Sequence, residues 1–174
     1  KNSMLFKINQ NEHRSKPLIL RPLVKKITGT ATFPEPFYDL GDNDQFDWNK
    51  LIGISFNPLK PDQNAIMIAW RYNLDTNKVA VGPYFNVNSE RITPEKLQPT
   101  QKYWFEIHKE IPIKFEITYK EIKFWNSVTG QFMIVPTPSN LKTKWFTSFL
   151  VQPWFGGNRT PSNEIFIDIK YEVS

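Results

Sequence analysis

Hydrophobic and polar residues alternate strictly along two stretches of the chain, and this pattern predicts β-strands. In residues 113–120 the odd-numbered positions are Ile, Phe, Ile and Tyr, and the even-numbered ones are Lys, Glu, Thr and Lys. Residues 165–172 repeat the pattern, with the odd-numbered positions again apolar or aromatic. Because successive side chains of a strand point to opposite faces of a sheet, each stretch has a core face and a solvent face. Both are predicted to be antiparallel strands.

Weaker alternation and frequent turn residues divide the rest of the chain into many short predicted strands. They lie at residues 5–9, 18–20, 26–33, 51–56, 66–72, 78–87, 103–108, 122–125, 132–135 and 146–154. Only residues 93–97 show a helical signal, a Thr cap followed by Pro at the first helical position. Many short strands without a visible repeat predict an all-β fold, either a two-sheet sandwich or a closed barrel.

The composition of the chain is that of one folded domain. Its 174 residues are 40% hydrophobic and 15% aromatic, and no Gly- or Ser-rich linker divides them. The chain has no Cys, which excludes disulfides, thiolate zinc sites and thiol catalysis. Its apolar runs are too short for a membrane-spanning helix, which needs about 20 residues. We therefore expect a single domain with no membrane span.

The charge of the chain is moderately basic, with 22 Lys and Arg against 17 Asp and Glu and a formal net charge of +5. These basic residues are scattered, and no run reaches the density typical of a nucleic-acid-binding patch. We expect no specific binding to nucleic acid.

Five residues are candidates for ligand binding. Four lie on predicted strands and the fifth lies in a turn: Arg71, Trp104, Trp125, Trp154 and Asn158. Alternation places Arg71 opposite the apolar face of its strand, where its planar side chain could bind a carboxylate or sugar hydroxyls, or simply form an ion pair. Trp104 and Trp125 fall opposite Phe105 and Phe124, so we expect these two tryptophans to be exposed. Exposed indoles are suitable platforms for a sugar ring.

The remaining candidates lie around a predicted tight turn at residues 152–161. Trp154 precedes a Gly-Gly-Asn sequence that ends at Asn158, and this sequence predicts positive φ angles and a backbone open to close approach. An exposed indole beside polar groups suits sugar recognition. In the alternative interpretation this is a structural turn in which Trp154 covers the core.

The acidic segment 39–47 is a candidate calcium site. Asp42, Asp44 and Asp47 lie close together after Gly41, and carboxylate oxygens are the ligands that calcium prefers. The spacing matches no EF-hand, and turns rich in Asp and Asn also occur for backbone reasons alone. Calcium is the one cofactor that the sequence suggests.

No catalytic residue is assigned from the sequence. No nucleophile elbow, phosphate loop, dinucleotide fingerprint or His-Glu-x-x-His motif is present. A polysaccharide lyase would need a base such as His108 or Tyr72 and a neutralising Arg71 on one sheet face, and the sequence does not show that these meet.

Three motifs and the order of the strands carry a family resemblance. The motifs are Phe46-Asp47-Trp48-Asn49-Lys50-Leu51, Trp70-Arg71-Tyr72-Asn73 and Phe155-Gly156-Gly157-Asn158. They are similar to motifs of small, mostly uncharacterised β-sandwich proteins from Bacteroidetes and their phages, from about residue 37 to the C-terminus. The strand order resembles a jelly roll of the concanavalin A-like kind. This resemblance implies an antiparallel two-sheet β-sandwich and assigns no activity. Because no linker divides the chain, we expect residues 1–174 to form this one domain.

Alginate lyases with a jelly-roll fold offer a second comparison. Glu106-Ile107-His108 resembles their Gln-Ile-His motif, whereas their Arg-x-Glu-x-Arg and Tyr-x-Lys-x-Gly-x-Tyr motifs are absent. The chain therefore resembles that fold without its catalytic residues.

The sequence favours a non-catalytic module that binds a polysaccharide or surface glycan, outside the cell or at its surface. The alternative is a structural or accessory subunit of a phage virion or of a bacterial surface or secretion assembly. In that case the exposed aromatic residues would contact a protein partner. A polysaccharide lyase is the third hypothesis.

Overall fold

The computed structural model describes residues 2–97 and 102–174, and about half of the residues in these ranges form β-strands. The strands are β1 (Asn2–Ile8), β2 (Ser15–Lys16), β3 (Lys26–Glu35), β4 (Asn49–Ser55), β5 (Ala65–Asn73), β6 (Lys78–Val87), β7 (Glu90–Ile92), β8 (Phe105–Ile107), β9 (Ile113–Thr118), β10 (Glu121–Asn126), β11 (Phe132–Pro136), β12 (Phe149–Val151) and β13 (Ile165–Val173). The helical elements are one turn, α1 (Pro94–Leu97), and 3-10 turns at Asn43–Phe46 and Trp145–Thr147.

These strands form two antiparallel sheets that pack face to face, which confirms the predicted β-sandwich. The seven-stranded sheet has the order β11-β10-β9-β3-β13-β1-β2. The six-stranded sheet has the order β12-β4-β5-β6-β7, and β8 also pairs with β6. Distant parts of the chain are neighbours in both sheets, since β13 lies between β1 and β3 and β12 pairs with β4.

The core between the sheets is built from the apolar positions of the alternating strands. Ile113 and Phe115 of β9 and Ile167 of β13 are buried there, as the alternation predicts. From the six-stranded sheet, Trp70 packs against Phe33 with ring centroids 5.7 Å apart. Such large aromatic side chains bury about 150–250 Å² each and account for much of the apolar area of the core.

Strands β5 and β6 are buried on both faces, which the alternation did not predict. Their outward positions include the small residues Ala69, Ala80 and Gly82, and Ala69 pairs directly with Gly82 across the two strands. Trp48 packs against this small-residue surface, and Trp104 lies beside it. The chain thus covers part of its own sheet with two tryptophans.

Three predicted strands are absent or much shorter in the structure, and one of them, predicted at residues 103–108, is limited to β8. The strand predicted at residues 18–20 does not form, and β2 precedes it at Ser15–Lys16. The amide of Ile19 instead donates to the side chain of Gln152, and Leu18 and Leu20 are exposed. The strand predicted at 146–154 is limited to β12, because a 3-10 turn occupies its beginning. In residues 2–97 and 102–174 no helix is both long and apolar enough to cross a membrane.

Candidate functional site

A cleft of about 680 Å³ opens on the outer face of the six-stranded sheet. Strands β5, β6 and β7 each contribute one residue, Arg71, Tyr84 and Arg91. Strand β4 contributes Lys50, and the rest of the lining comes from the 3-10 turn at Asn43–Phe46, from α1 and from loops that include Trp48 and Trp154. The volume lies within the range of about 300–1,000 Å³ that small-molecule sites occupy.

The three sequence motifs come together around this cleft. Tyr38 is the central link, because its hydroxyl oxygen accepts hydrogen bonds from the Tyr72 amide at 3.1 Å and the Asn49 side-chain amide at 3.2 Å. The Asn49 side-chain oxygen in turn accepts from the Gly156 amide at 2.9 Å. This network connects residues 46–51, 70–73 and 155–158. Burial raises the pKa of Tyr38 to about 12, against the opposing effects of its hydrogen bonds, so it stays a neutral link.

Glycine is required where the third motif meets the first. A Cβ atom at Gly156 would lie 2.6 Å from the backbone oxygen of Trp48. Gly157 has a φ of +75°, and a Cβ atom there would lie 2.7 Å from an Asp47 carboxylate oxygen. The turn can lie this close to Asp47 and Trp48 because Gly156 and Gly157 lack a side chain.

The floor of the cleft is a contact between Trp48, Arg71 and Glu95. The Arg71 guanidinium lies 4.2 Å from the centre of the Trp48 ring and forms a 2.8 Å ion pair with Glu95. The Trp48 indole N–H donates to both Glu95 carboxylate oxygens, at 3.0 and 2.9 Å. The Arg71 side chain is only 16% exposed. Arg71 therefore binds a carboxylate, as its predicted orientation allows, but this carboxylate is that of Glu95 and not that of a ligand.

The pKa values of Glu95 and Asp47 shift in opposite directions. Burial disfavours the charged form of Glu95, but the Trp48 hydrogen bond and the nearby Arg71 outweigh it and lower its pKa. The pKa of Asp47 is raised, first by burial and then by the negative charge of Asp44. Both carboxyl groups line the same cleft.

Trp154 forms one wall of the cleft together with His13. The two rings are stacked, with centroids 5.7 Å apart and planes 12° from parallel. His13 Nδ1 lies 2.7 Å from the carbonyl oxygen of Phe155. A carbonyl oxygen can only accept, so Nδ1 carries a proton and donates it in this hydrogen bond, which leaves Nε2 as the second polar atom of the ring. The indole is half-buried and held at a fixed angle.

The acidic segment is held by a cation from the protein itself. Arg159 forms ion pairs with Asp42 and Asp44, the latter at 3.7 Å. Asp42 also accepts a hydrogen bond from the Asp44 amide and so caps the 3-10 turn. Asp47 lines the cleft. Within residues 2–97 and 102–174, no group of three or more His, Cys, Asp or Glu side chains is arranged to hold a metal ion. Calcium binding by this segment stays a prediction.

The structure brings three of the five predicted ligand-binding residues to the cleft. Arg71, Trp154 and Asn158 line it. Trp104 lies beside it and packs edge-on against Trp48, with ring centroids 6.2 Å apart. Trp125 lies on β10 of the other sheet, where it packs against Phe132 at 5.4 Å.

The residues considered for lyase chemistry are not brought together. Tyr72 is buried on the core side of β5, opposite Arg71. His108 is exposed after β8 and accepts a hydrogen bond from the Glu110 amide. Because Tyr72 and Arg71 point to opposite faces of one strand, the two cannot act on the same substrate group.

Several residues of the cleft were missed from the sequence. They are His13, Trp48, Lys50, Asp62, Tyr84, Arg91 and Glu95. The alternation of β6 identifies Tyr84 as an outward residue, and Trp48 lies within a recognised motif. His13, Asp62 and Glu95 lie in loops and in α1, where no periodic signal indicates the direction of a side chain.

No protein-family model and no curated protein sequence matches the chain. Among solved structures, the chain is similar to a GH43 glycoside hydrolase whose engineered active site displays both endo-xylanase and exo-arabinofuranosidase activity. The identity is 11% and the TM-score is 0.43, over 86% of this chain and 30% of that one. The chain thus spans less than a third of the enzyme's length. The resemblance to proteins of Bacteroidetes and their phages stays a prediction.

Proposed function

We propose that the cleft binds carbohydrate, most simply one segment of a polysaccharide. The observation that supports this is the half-buried Trp154 indole, fixed by His13 in a cleft whose other walls carry many polar groups. Sugar rings present apolar C–H faces and a rim of hydroxyls, and such a combination of aromatic and polar groups matches both. The side chains of His13 and Asn158 add hydrogen-bonding groups beside the indole.

The charge pairing in the cleft favours binding over hydrolysis. A glycosidase needs one carboxyl group that donates a proton and a second, ionised carboxylate. Glu95 is paired with Arg71, and Asp62 is paired with Lys50. Asp44, which also lines the cleft, is paired with Arg159. Asp47, with its raised pKa, is the remaining candidate for the acid. We infer a non-catalytic binding module, which would act outside the cell or at its surface, where polysaccharides occur.

The test is affinity electrophoresis through gels that contain neutral or acidic polysaccharides, with Trp154→Ala and Trp125→Ala as matched variants. We expect at least one polysaccharide to retard the protein, and Trp154→Ala to weaken that binding at least about tenfold, as the loss of an aromatic binding hot spot does. Trp125→Ala removes another half-buried tryptophan, which lies on the other sheet, and should leave the affinity unchanged. Melting curves check that both variants fold.

The result would oppose the proposal if no polysaccharide retarded the protein, or if the Trp125 variant alone lost affinity. Incubation with the retarding polysaccharide, followed by an assay of new reducing ends, separates binding from hydrolysis. Release of reducing ends that Asp47→Asn abolishes would show that the site is catalytic.

The alternative, a subunit of a larger assembly, is supported by β11, which among the described strands lies at one edge of the seven-stranded sheet. Phe132 and Ile134 of β11 are 46% and 50% exposed, and Trp125 lies next to them. Exposed apolar residues on an edge strand can pair with a protein partner. The oligomeric state distinguishes the two functions.

A further inference from the structure

A second pocket of about 310 Å³ adjoins the cleft and continues it along β6 and β7. The two cavities share Asp62 and Arg91 as lining residues. Tyr84 lines the cleft and Asn86 lines the second pocket, and the two are separated by two positions on one strand. They therefore point to the same face of the sheet, and the two cavities form one continuous groove.

Asn86 is a buried polar residue with an unused acceptor. It is 1% exposed, and its side-chain oxygen has no hydrogen-bond partner among residues 2–97 and 102–174. It pairs directly with Arg91 across β6 and β7. A buried polar atom without a partner costs about 1–3 kcal/mol, so such an atom in a pocket points to a ligand that completes its hydrogen bonding.

The second pocket also contains the unpaired positive charges of the groove. In the cleft, Lys50 is paired with Asp62 and Arg71 is paired with Glu95. Arg91 and Lys60, by contrast, form no ion pair with any residue in the described ranges. With Asp62 already neutralised by Lys50, the second pocket carries an excess of positive charge. It is therefore suited to an anionic group.

We propose that the groove binds an acidic polysaccharide and that the second pocket receives the carboxylate of a uronic acid residue. This proposal rests on the proposed function, because it extends the carbohydrate chain from Trp154 past Arg91. Arg91 is assigned to the carboxylate, since its planar guanidinium can make two parallel hydrogen bonds to it. Lys60 contributes a second positive charge, and a ligand hydroxyl donates to the free oxygen of Asn86.

The test compares an acidic polysaccharide with its neutral ester. Polygalacturonate and its fully methyl-esterified form share one backbone, alginate and glucuronoxylan broaden the acidic set, and a mixed-linkage glucan and a galactomannan serve as neutral polysaccharides. We expect at least one acidic polysaccharide to bind, and esterification of its carboxylates to abolish the interaction. A sulfated galactan is included to separate recognition of a carboxylate from recognition of any anion.

The variants are Arg91→Gln in the second pocket and Lys114→Ala as the control for net charge. Lys114 is exposed on β9 of the other sheet, so its removal lowers the total charge without touching the groove. Losing a charge-assisted hydrogen bond should weaken binding of the acidic polysaccharide about tenfold to a hundredfold in Arg91→Gln. Lys114→Ala should bind within about twofold of the parent protein, because an exposed charge on the far sheet is screened by salt.

The possible failures are distinguishable. If only neutral polysaccharides bind and Trp154→Ala weakens them, the cleft binds carbohydrate but the assignment of the second pocket is wrong. The assignment of the second pocket would also be wrong if the ester bound as tightly as the acid, or if the sulfated galactan did. Full affinity of the Arg91→Gln variant would contradict it as well. If no polysaccharide binds, both the proposed carbohydrate binding by the cleft and the assignment of the second pocket are wrong.

Discussion

At the scale of single residues, the contact between Trp48, Arg71 and Glu95 fixes the floor of the cleft. Trp48 is 7% exposed, yet it lies outside the sandwich core and packs on the outer face of β5 and β6. Its indole N–H needs an acceptor once it is buried, and Glu95 supplies one. Arg71 then neutralises the carboxylate and stacks on the ring. The Trp48 indole N–H thus has an acceptor, and the charges of Arg71 and Glu95 are paired with each other.

This contact makes a prediction about pH and stability. The pKa of Glu95 is lowered from its usual value of 4.5 in the folded protein. The ionised carboxylate therefore stabilises the fold above that pH, and this stabilisation is lost as the pH falls through the lower, folded-state pKa. Glu95→Gln removes the charge but keeps an acceptor for Trp48. We expect the variant to be less stable than the parent at about pH 7, by no more than about 1 kcal/mol, because the Glu95 side chain is 43% exposed and solvent screens its charge.

Urea unfolding of the parent and of Glu95→Gln at several pH values measures this difference. We expect it to shrink as the pH falls below 4.5, and to approach zero once the pH is below the lowered pKa of Glu95 in the folded protein. The raised pKa of Asp47 makes the free energy of unfolding change with pH in the opposite direction. Asp47 is present in both proteins, so its contribution cancels in the difference. A difference that stayed constant with pH would show that the ion pair does not stabilise the fold.

At the scale of elements, the buried faces could be predicted for strands with one solvent-exposed face, but not for strands that are buried on both faces. Alternation located β9 and β13 and their buried faces, because in these strands one side meets the core and the other meets water. Strand β7, with three residues, is too short to show a period. In β5 and β6 the outward residues Ala69, Ala80 and Gly82 are small, and nothing local shows that Trp48 would cover them.

The exposed edge strand β11 allows a test of the assembly alternative. A binding module can act as a single chain, whereas a virion or tail subunit should form trimers or larger assemblies. We expect light scattering coupled to size-exclusion chromatography to give the 20.5 kDa mass of one chain. A stable trimer or polymer that Ile134→Lys dissolves would favour the assembly function instead, because Ile134 is exposed on this edge strand.

At the scale of the whole molecule, the cleft is assembled from segments that are far apart in the sequence. His13 and Trp154 stack although 141 positions separate them, and Arg91 and Glu95 come from a third region. The sequence predicted Arg71, Trp154 and Asn158 from strand alternation and turn chemistry. It could not predict that Trp125 lies on the other sheet, because alternation gives the face of a strand but not the sheet to which the strand belongs.

The most direct test of the proposed site is to locate the bound carbohydrate by the side-chain N–H signals of the tryptophans. The chain has six tryptophans, so a ¹⁵N-labelled sample gives six indole signals that can be assigned by single substitutions. Titration with an oligosaccharide from the retarding polysaccharide should shift the signals of Trp154 and Trp48 and leave that of Trp125 in place. A shift of the Trp125 signal, with those of Trp154 and Trp48 unchanged, would contradict the proposal that the cleft is the binding site.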